Sequence, residues 1–247
     1  MSEPKRLDIA VAEKLSTSRT IAKDIIEKGQ VKVDGKTAAK SGLKIDETSV
    51  IEIESNLQNF VSRGGFKLQA AIEEFDLDLD GLVCMDVGAS TGGFSDCMVQ
   101  NGAKKVYAID SGTDQLKDEL RANPTIISME KTDIRKLDPT DFEKIDFVSV
   151  DVSFISLDKI LGHVYSFMGD KSSAILLVKP QFEAGIGATN KKGIVKNPKS
   201  RCKALEKVYN DAKEVGFLCR SHIESPIKGG DGNAEYLMYV VKESKEA

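Results

Sequence analysis

The stretch Asp86-Val87-Gly88-Ala89-Ser90-Thr91-Gly92-Gly93-Phe94 follows an apolar run, 82–87, and opens a helical pattern near 92–101. Strand, glycine turn, helix is how nucleotide-binding α/β units begin. The glycines permit a tight turn and let a ligand approach the backbone amides. Asp110, closing the next apolar run, is an acid of the kind that takes ribose hydroxyls. Ser90 stands where the dinucleotide fingerprint GxGxxG has its middle glycine. A pyrophosphate, and NAD-linked redox with it, is therefore less well accommodated. S-adenosylmethionine has a ribose and an adenine but no phosphate, so the loop points to a nucleotide or adenosyl cofactor rather than a purely structural turn.

Outward from this loop, strands are predicted at 82–87, 105–110, 125–130, 147–152, 174–179, 217–223 and 235–241. Helices are predicted near 92–101, 113–122, 155–168 and 199–215. Apolar strands alternating with helices predict a mostly parallel sheet covered on both faces. Ligands of such sheets bind beyond the C-terminal strand ends. Asp151 and Lys179 fall at such ends. Glu235 begins its strand and reaches the same edge if that strand runs antiparallel.

Upstream, residues 6–15 read as a short amphipathic helix. Ser16, Thr17 or Ser18 can cap a second helix, Arg19 to Lys28, closed by Gly29. Val31-Lys32-Val33, the turn pair Asp34-Gly35 and a strand near 50–53 suggest a small sheet. Residues 55–61 read as a linker, dividing the chain into 1–54 and 62–247. A helix over Phe66–Phe75 carries Lys67 in its first turn, where the partial positive charge of a helix N-terminus disfavours a cation.

Charge sharpens this division. The 247 residues hold 35 Lys+Arg and 39 Asp+Glu, net -4, which alone argues against a nucleic-acid partner. Yet residues 1–44 carry ten basic and six acidic residues. Residues 179–207 carry eight basic and two acidic, an island in an otherwise acidic region. Lys5, Arg6, Arg19, Lys23 and Lys28 could share one basic face. Lys191 and Lys192 belong to a Gly-containing loop beside the expected site, read as a second RNA contact that orders when RNA binds.

Other classes find little support. The longest apolar run, 236–241, is far short of the roughly 20 residues that span a membrane. MSEPKRLD has no apolar signal region. The four cysteines are scattered, as expected for reduced thiols in a cytoplasm, and two histidines offer no metal site.

Several ordered motifs resemble known families. The pattern RLD…SRT…GQV.VDG…KSG.KI resembles the S4 RNA-binding domain. SRGGFKL (62–68), DVGASTGGF (86–94), VDVSFISL (150–157), LVKPQFE (177–183) and GNAEY (232–236) resemble the TlyA (hemolysin A) family, an S4 domain fused to an FtsJ-like methyltransferase. The resemblance covers roughly residues 5–242. It implies a Rossmann-like class I methyltransferase fold behind a small α+β domain. It also implies S-adenosylmethionine as cofactor, and transfer to a cytidine 2'-hydroxyl in 23S and, in some members, 16S ribosomal RNA of a ribosomal subunit. The family's Lys-Asp-Lys-Glu tetrad falls on Lys67, Asp151, Lys179 and Glu235. Lys179 would accept the hydroxyl proton, a role open to lysine where burial or a second cation favours the neutral amine. Lys67 would assist and hold the ribose, and the two acids would orient the lysines. Cofactor contacts are expected at Asp86, Gly88, Ser90, Gly92, Gly93, Asp110 and Asp133, and RNA contacts also at Arg63.

Alternative chemistries fit less well. Base N-methylation lacks its [N/D]PPY element, and cytosine C5 chemistry needs a thiol nucleophile, whereas Cys84 and Cys97 fall inside a strand and a helix. A ribosome-binding assembly factor with a vestigial cofactor site is the main non-enzymatic alternative. A membrane-active hemolysin would need apolar segments that this sequence does not show.

Overall fold

The basic leading segment and the remainder form two units, Met1–Arg63 and Gly64–Ala247, in a computed structural model. Described are residues 4–14, 19–46, 48–53, 60–185, 187–229 and 232–243. The expected caps Ser16, Thr17 and Ser18, and the expected linker except Phe60 and Val61, lie outside them.

In the first unit β1 (Lys5–Arg6) pairs antiparallel with β4 (Lys44–Ile45). Helices α1 (Leu7–Lys14) and α2 (Arg19–Glu27) bury Leu7, Val11, Ile25 and Ile26. Strand β2 (Val31–Val33) lies between β3 (Lys36–Thr37) and β5 (Ile51–Ile53). Asp34 and Gly35 both have positive φ, 51° and 75°, the backbone a two-residue hairpin turn demands. Asp8 is buried and accepts from both Arg6 and Arg19 at 3.0 Å. The Arg6 hydrogen bonds, aided by Arg19 against the cost of burial, hold its carboxyl down to about 2.

The second unit begins within α3 (Arg63–Glu74), after its first residue. Its helix starts three residues before the sequence expectation, so Lys67 lies in the second turn instead of the first. The sheet contains β6 (Val83–Val87), β7 (Lys105–Ile109), β8 (Ile126–Met129), β9 (Ile145–Val150), β10 (Met168–Val178), β11 (Leu218–Glu224) and β12 (Tyr236–Val241). The spatial order is β11-β12-β10-β9-β6-β7-β8. Strands β8, β7, β6, β9 and β10 are parallel; β12 runs antiparallel to both neighbours.

Both sheet faces are covered, which explains the unbroken apolar strands. Met85, Val87, Val148, Val150, Leu176 and Val178 form one core with α6 (Leu161–Phe167) and α8 (Pro198–Val215). Residues of opposite parity, including Phe147, Ile175 and Leu237, are equally buried. On that side α3 and α4 (Gly93–Gln100) are tied by Gln69, which accepts from Asn101 at 2.8 Å, and Phe75 stacks on Tyr239.

Two expected helices are shorter. Only α5 (Asp118–Arg121) forms within 113–122. Asp110 accepts from the Gly112 amide and Glu130 from the Gln115 amide, so side chains capture backbone donors that a helix would use. Residues 155–168 split into a single 3₁₀ turn, Leu157–Lys159, and α6. By contrast α8 follows its sequence signals. Asn197 caps it by accepting from the Lys199 amide, Pro198 is its first residue, and Gly216 ends it at φ 114°. Among the described residues no helix is long and apolar enough to cross a membrane.

Candidate active site

Topology brings the tetrad together. Parallel β9 and β10 end at one edge of the sheet, placing Asp151 and Lys179 side by side beyond it. Antiparallel β12 begins there, with Tyr236 opposite Val178, so Glu235 enters beside Lys179. Lys67 arrives from α3. Its Nζ donates to Glu235 Oε2 at 2.5 Å, and their side chains are 10% and 3% exposed. Lys179 Nζ lies 2.6 Å from Asp151 Oδ1 and donates to Ser153 Oγ at 2.8 Å. The Asp151 approach lacks hydrogen-bond alignment, so charge holds that pair. Lys67, Lys179 and Glu235 line a cavity of about 440 Å³ with Ser153, Phe154 and Phe182.

A second cavity, about 470 Å³, adjoins it and shares Ser153 and Phe154 as wall. Gly88, Ser90, Asp110 and Asp133 line it, as does Asp151. Its volume suits a nucleoside-sized ligand. Gly88 has φ 89°, and a Cβ there would strike the Asp151 backbone carbonyl. That glycine is required by the close approach of the β6 and β9 ends. Ser90 adopts φ 47°, so the serine replacing a fingerprint glycine still takes left-handed backbone. Asp110 accepts from the Ser90 amide at 2.7 Å and the Gly112 amide at 2.6 Å, which fixes both carboxylate oxygens at the cavity wall.

Three expected cofactor contacts are placed elsewhere. Asp86 is fully buried beneath the loop and accepts from Ser95 and Ser149 hydroxyls at 2.6 and 2.9 Å. Burial pushes its carboxyl up to about 6, although both serines oppose the rise. Gly92 and Gly93 start α4, where a Cβ on Gly92 would strike Leu120 and Leu116. These residues shape the loop without lining the cavity. Asp133 lines it, but its carboxylate accepts from Arg135 Nε at 2.9 Å and Nη2 at 2.6 Å, and also caps a 3₁₀ turn. The Arg135 hydrogen bond is the main reason its carboxyl is held down to about 2.

Of the expected RNA contacts, Lys5 pairs with Glu13, Arg6 and Arg19 share Asp8, and Lys23 lies 3.6 Å from Glu27. Lys28 is exposed and Arg63 half-buried. Lys191 and Lys192 are exposed on a loop that has internal order. Asn190 accepts from the Lys192 and Ile194 amides, and buried Asn233 accepts from the Val195 amide while donating to Gly193. The loop is thus tied two residues from Glu235.

Ser153, Phe154, Asn233 and Glu183 received no separate role from the sequence. Phe154 is 93% exposed and has φ 64°, an uncommon conformation for an aromatic residue. Its motif was visible, but a backbone angle is not. Cys84 and Cys97 are unsuited to nucleophilic attack, since burial pushes the former thiol up to about 12 and also raises the latter. Both histidines are exposed and line neither of the two cavities. Among the described residues no cluster is placed to hold a metal.

The sheet and its paired cavities define a methyltransferase: residues 60–242 match the FtsJ-like methyltransferase family model, and residues 5–51 match the S4 domain. The chain belongs to the TlyA (hemolysin A) family of S4-bearing, FtsJ-like methyltransferases. It is 39% identical over 239 residues to hemolysin A of Brachyspira hyodysenteriae, covering 96% of this chain and 99% of that protein. It is 34% identical over 250 residues to the 16S/23S rRNA (cytidine-2'-O)-methyltransferase TlyA of Mycobacterium tuberculosis, covering 100% and 93% respectively. A solved Streptococcus thermophilus structure, named only provisionally as a hemolysin, is 40% identical with a TM-score of 0.74. It covers 99% of this chain and 90% of its own.

Proposed function

We propose that this protein transfers a methyl group from S-adenosylmethionine to a ribose 2'-hydroxyl of ribosomal RNA. The substrate is a cytidine of 23S rRNA, with 16S rRNA as a second target, in the cytoplasm. The observation that carries this reading is the pair of lysine–carboxylate contacts where two cavities meet, both lysines and Glu235 lining one and Asp151 lining the nucleoside-sized other, which has Asp110 on its wall. The M. tuberculosis relative, by its name, acts on cytidine 2'-oxygens of both RNAs.

The site residues fit the cofactor. Asp110 would receive the ribose hydroxyls, the Gly88–Ser90 backbone would face the methionine portion, and Ile109, Ile134 and Ile155 would flank the adenine. Bound S-adenosylmethionine supplies an electrophilic methyl carbon. The protein's task is then to align the 2'-oxygen and remove its proton. Alignment in ideal cases contributes up to roughly 7–11 kcal/mol, and a placed base a further 10²- to 10⁴-fold. Lys179 Nζ would accept the proton while Asp151 and Ser153 fix its position. Lys67, oriented by Glu235, donates to the ribose. Phe154 and Phe182 offer flat faces to an unstacked base.

Residues 1–54 would position RNA through Lys5, Arg6, Arg19, Lys23 and Lys28, and Arg63, Lys191 and Lys192 would add phosphate contacts. Residues 55–61 would link this domain to the methyltransferase domain, 62–247. Such binding weakens steeply with salt.

The test is labelled-methyl transfer to unmodified ribosomal subunits, followed by mapping of 2'-O-methyl marks. The wild type should mark a cytidine. Lys179→Ala should lose about 10²-fold or more in rate while calorimetry shows cofactor binding retained. Near-wild-type transfer by Lys179→Ala would overturn the assignment.

A further inference from the structure

Glu183 closes the short helix α7 (Pro180–Glu183) that follows Lys179 directly. Its side chain is 2% exposed, yet it touches neither cavity. Three donors converge on its carboxylate: Ser156 Oγ at 2.6 Å, the Leu157 amide at 2.8 Å and Lys207 Nζ at 3.0 Å. Ser156 and Leu157 belong to the segment that has just delivered Asp151, Ser153 and Phe154. Lys207, from α8, also donates to Ser156 Oγ at 2.9 Å and to Asp211 at 2.8 Å. Burial opposes its charge, but hydrogen bonds to Asp211 and Glu183 hold Lys207 above its ordinary value.

The two loops that carry the Lys179–Asp151 pair are therefore fastened a second time, a few residues beyond it. The first fastening is Lys179 itself, which pairs with Asp151 without hydrogen-bond alignment and donates to Ser153 Oγ at 2.8 Å. Two contacts at the tip of one long side chain leave the backbone that carries it free to shift, whereas a buried carboxylate with three donors fixes the relative position of both loops. The same segment holds Phe154 at positive φ between the cavities.

We propose that Glu183 is a positioning residue for the transfer step: it locks the post-β10 turn to the post-β9 loop, and so aims Lys179 Nζ. The effect on rate rests on the methyltransferase reading; the effect on Lys179 geometry does not. A misplacement of the order of 1 Å costs about 10²-fold in rate.

The test uses the full chain and Glu183→Gln, which keeps size and one acceptor oxygen. Single-turnover methyl transfer to unmodified ribosomal subunits at saturating cofactor should fall about 10- to 100-fold. KM for RNA and cofactor should stay within about twofold. Acylation of lysines by an amine reagent, read by mass spectrometry, should rise severalfold at Lys179 with Lys67 unchanged. Ser156→Ala, which removes one of the three donors, should shift both readouts in the same direction by less and serves if Glu183→Gln does not fold. An unchanged rate per folded molecule, or equal changes in labelling at Lys67 and Lys179, would overturn the proposal. If the wild type transfers no methyl group, the methyltransferase reading fails, and the Lys179 labelling decides the positioning role by itself.

Discussion

Replacing Lys67 with methionine removes one half of a buried ion pair. Glu235, 3% exposed, then loses the cation 2.5 Å away. Breaking such a pair from one side costs about 3–5 kcal/mol, because the remaining charge is left desolvated. Against a domain stability of about 5–15 kcal/mol, that is a large fraction. Adding Glu235→Gln removes the orphaned charge. The double variant should return to within about 1 kcal/mol of wild type, a coupling of at least about 2–4 kcal/mol between the two sites, larger by whatever Glu235→Gln costs alone. Urea denaturation followed by circular dichroism measures the four species of this cycle. Methyl transfer should behave differently, because stability can be restored without restoring the ribose contact. The double variant should remain at least about 10²-fold slower than wild type. The reasoning fails if Lys67→Met costs less than about 1 kcal/mol, or if the double variant regains near-wild-type transfer.

Three further outcomes follow from the geometry. Asp86, with its carboxyl raised to about 6 from 3.8, binds a proton on folding between roughly pH 4 and 6, so its contribution declines as pH rises through that window. Asp86→Asn should gain up to about 3 kcal/mol on wild type at pH 8 and nothing below pH ~3.5; a gain independent of pH would refute this. Gly88→Ala forces a Cβ onto left-handed backbone and into the Asp151 carbonyl. It should cost at least about 1–2 kcal/mol in stability and weaken S-adenosylmethionine binding by calorimetry; unaltered cofactor affinity would contradict the close approach. Asp8, lowered to about 2, stabilises the first unit above about pH 4 and loses that contribution as pH falls toward 2. Both of its guanidinium partners are about half exposed, so Asp8→Asn should cost about 1 kcal/mol at pH 7, measurable by urea denaturation, and nothing near pH 2.

The sheet was legible in the sequence because its strands are buried on both faces and read as unbroken apolar runs. The glycine loop, Asp110 and the strand-end positions of Asp151 and Lys179 followed from the same pattern. Glu235 depended on strand direction, which hydrophobicity does not encode and the antiparallel β12 supplies. Helix 113–122 was overread because Asp110, two residues before the Gly112 amide, and Glu130, fifteen residues beyond the Gln115 amide, draw those backbone groups away from a helix. Asp86 was misplaced for a related reason. An acid in a glycine motif resembles a ligand contact until Ser95 and Ser149 are found enclosing it. Glu183 and Asn233 act through partners 24 to 40 positions away, a relation no local motif displays.

Lys67 and Glu235 are 168 positions apart in the chain, yet they meet in one contact. A contact that closes so long a loop forms late and slowly compared with local structure. On the proposed reading, catalysis becomes a census of the fold: α3, β9, β10 and β12 must be docked together before the four residues meet. A partly unfolded population would then retain secondary structure while being catalytically silent. Loss of methyl transfer in denaturant should therefore precede or coincide with loss of helical signal, and should never lag behind it.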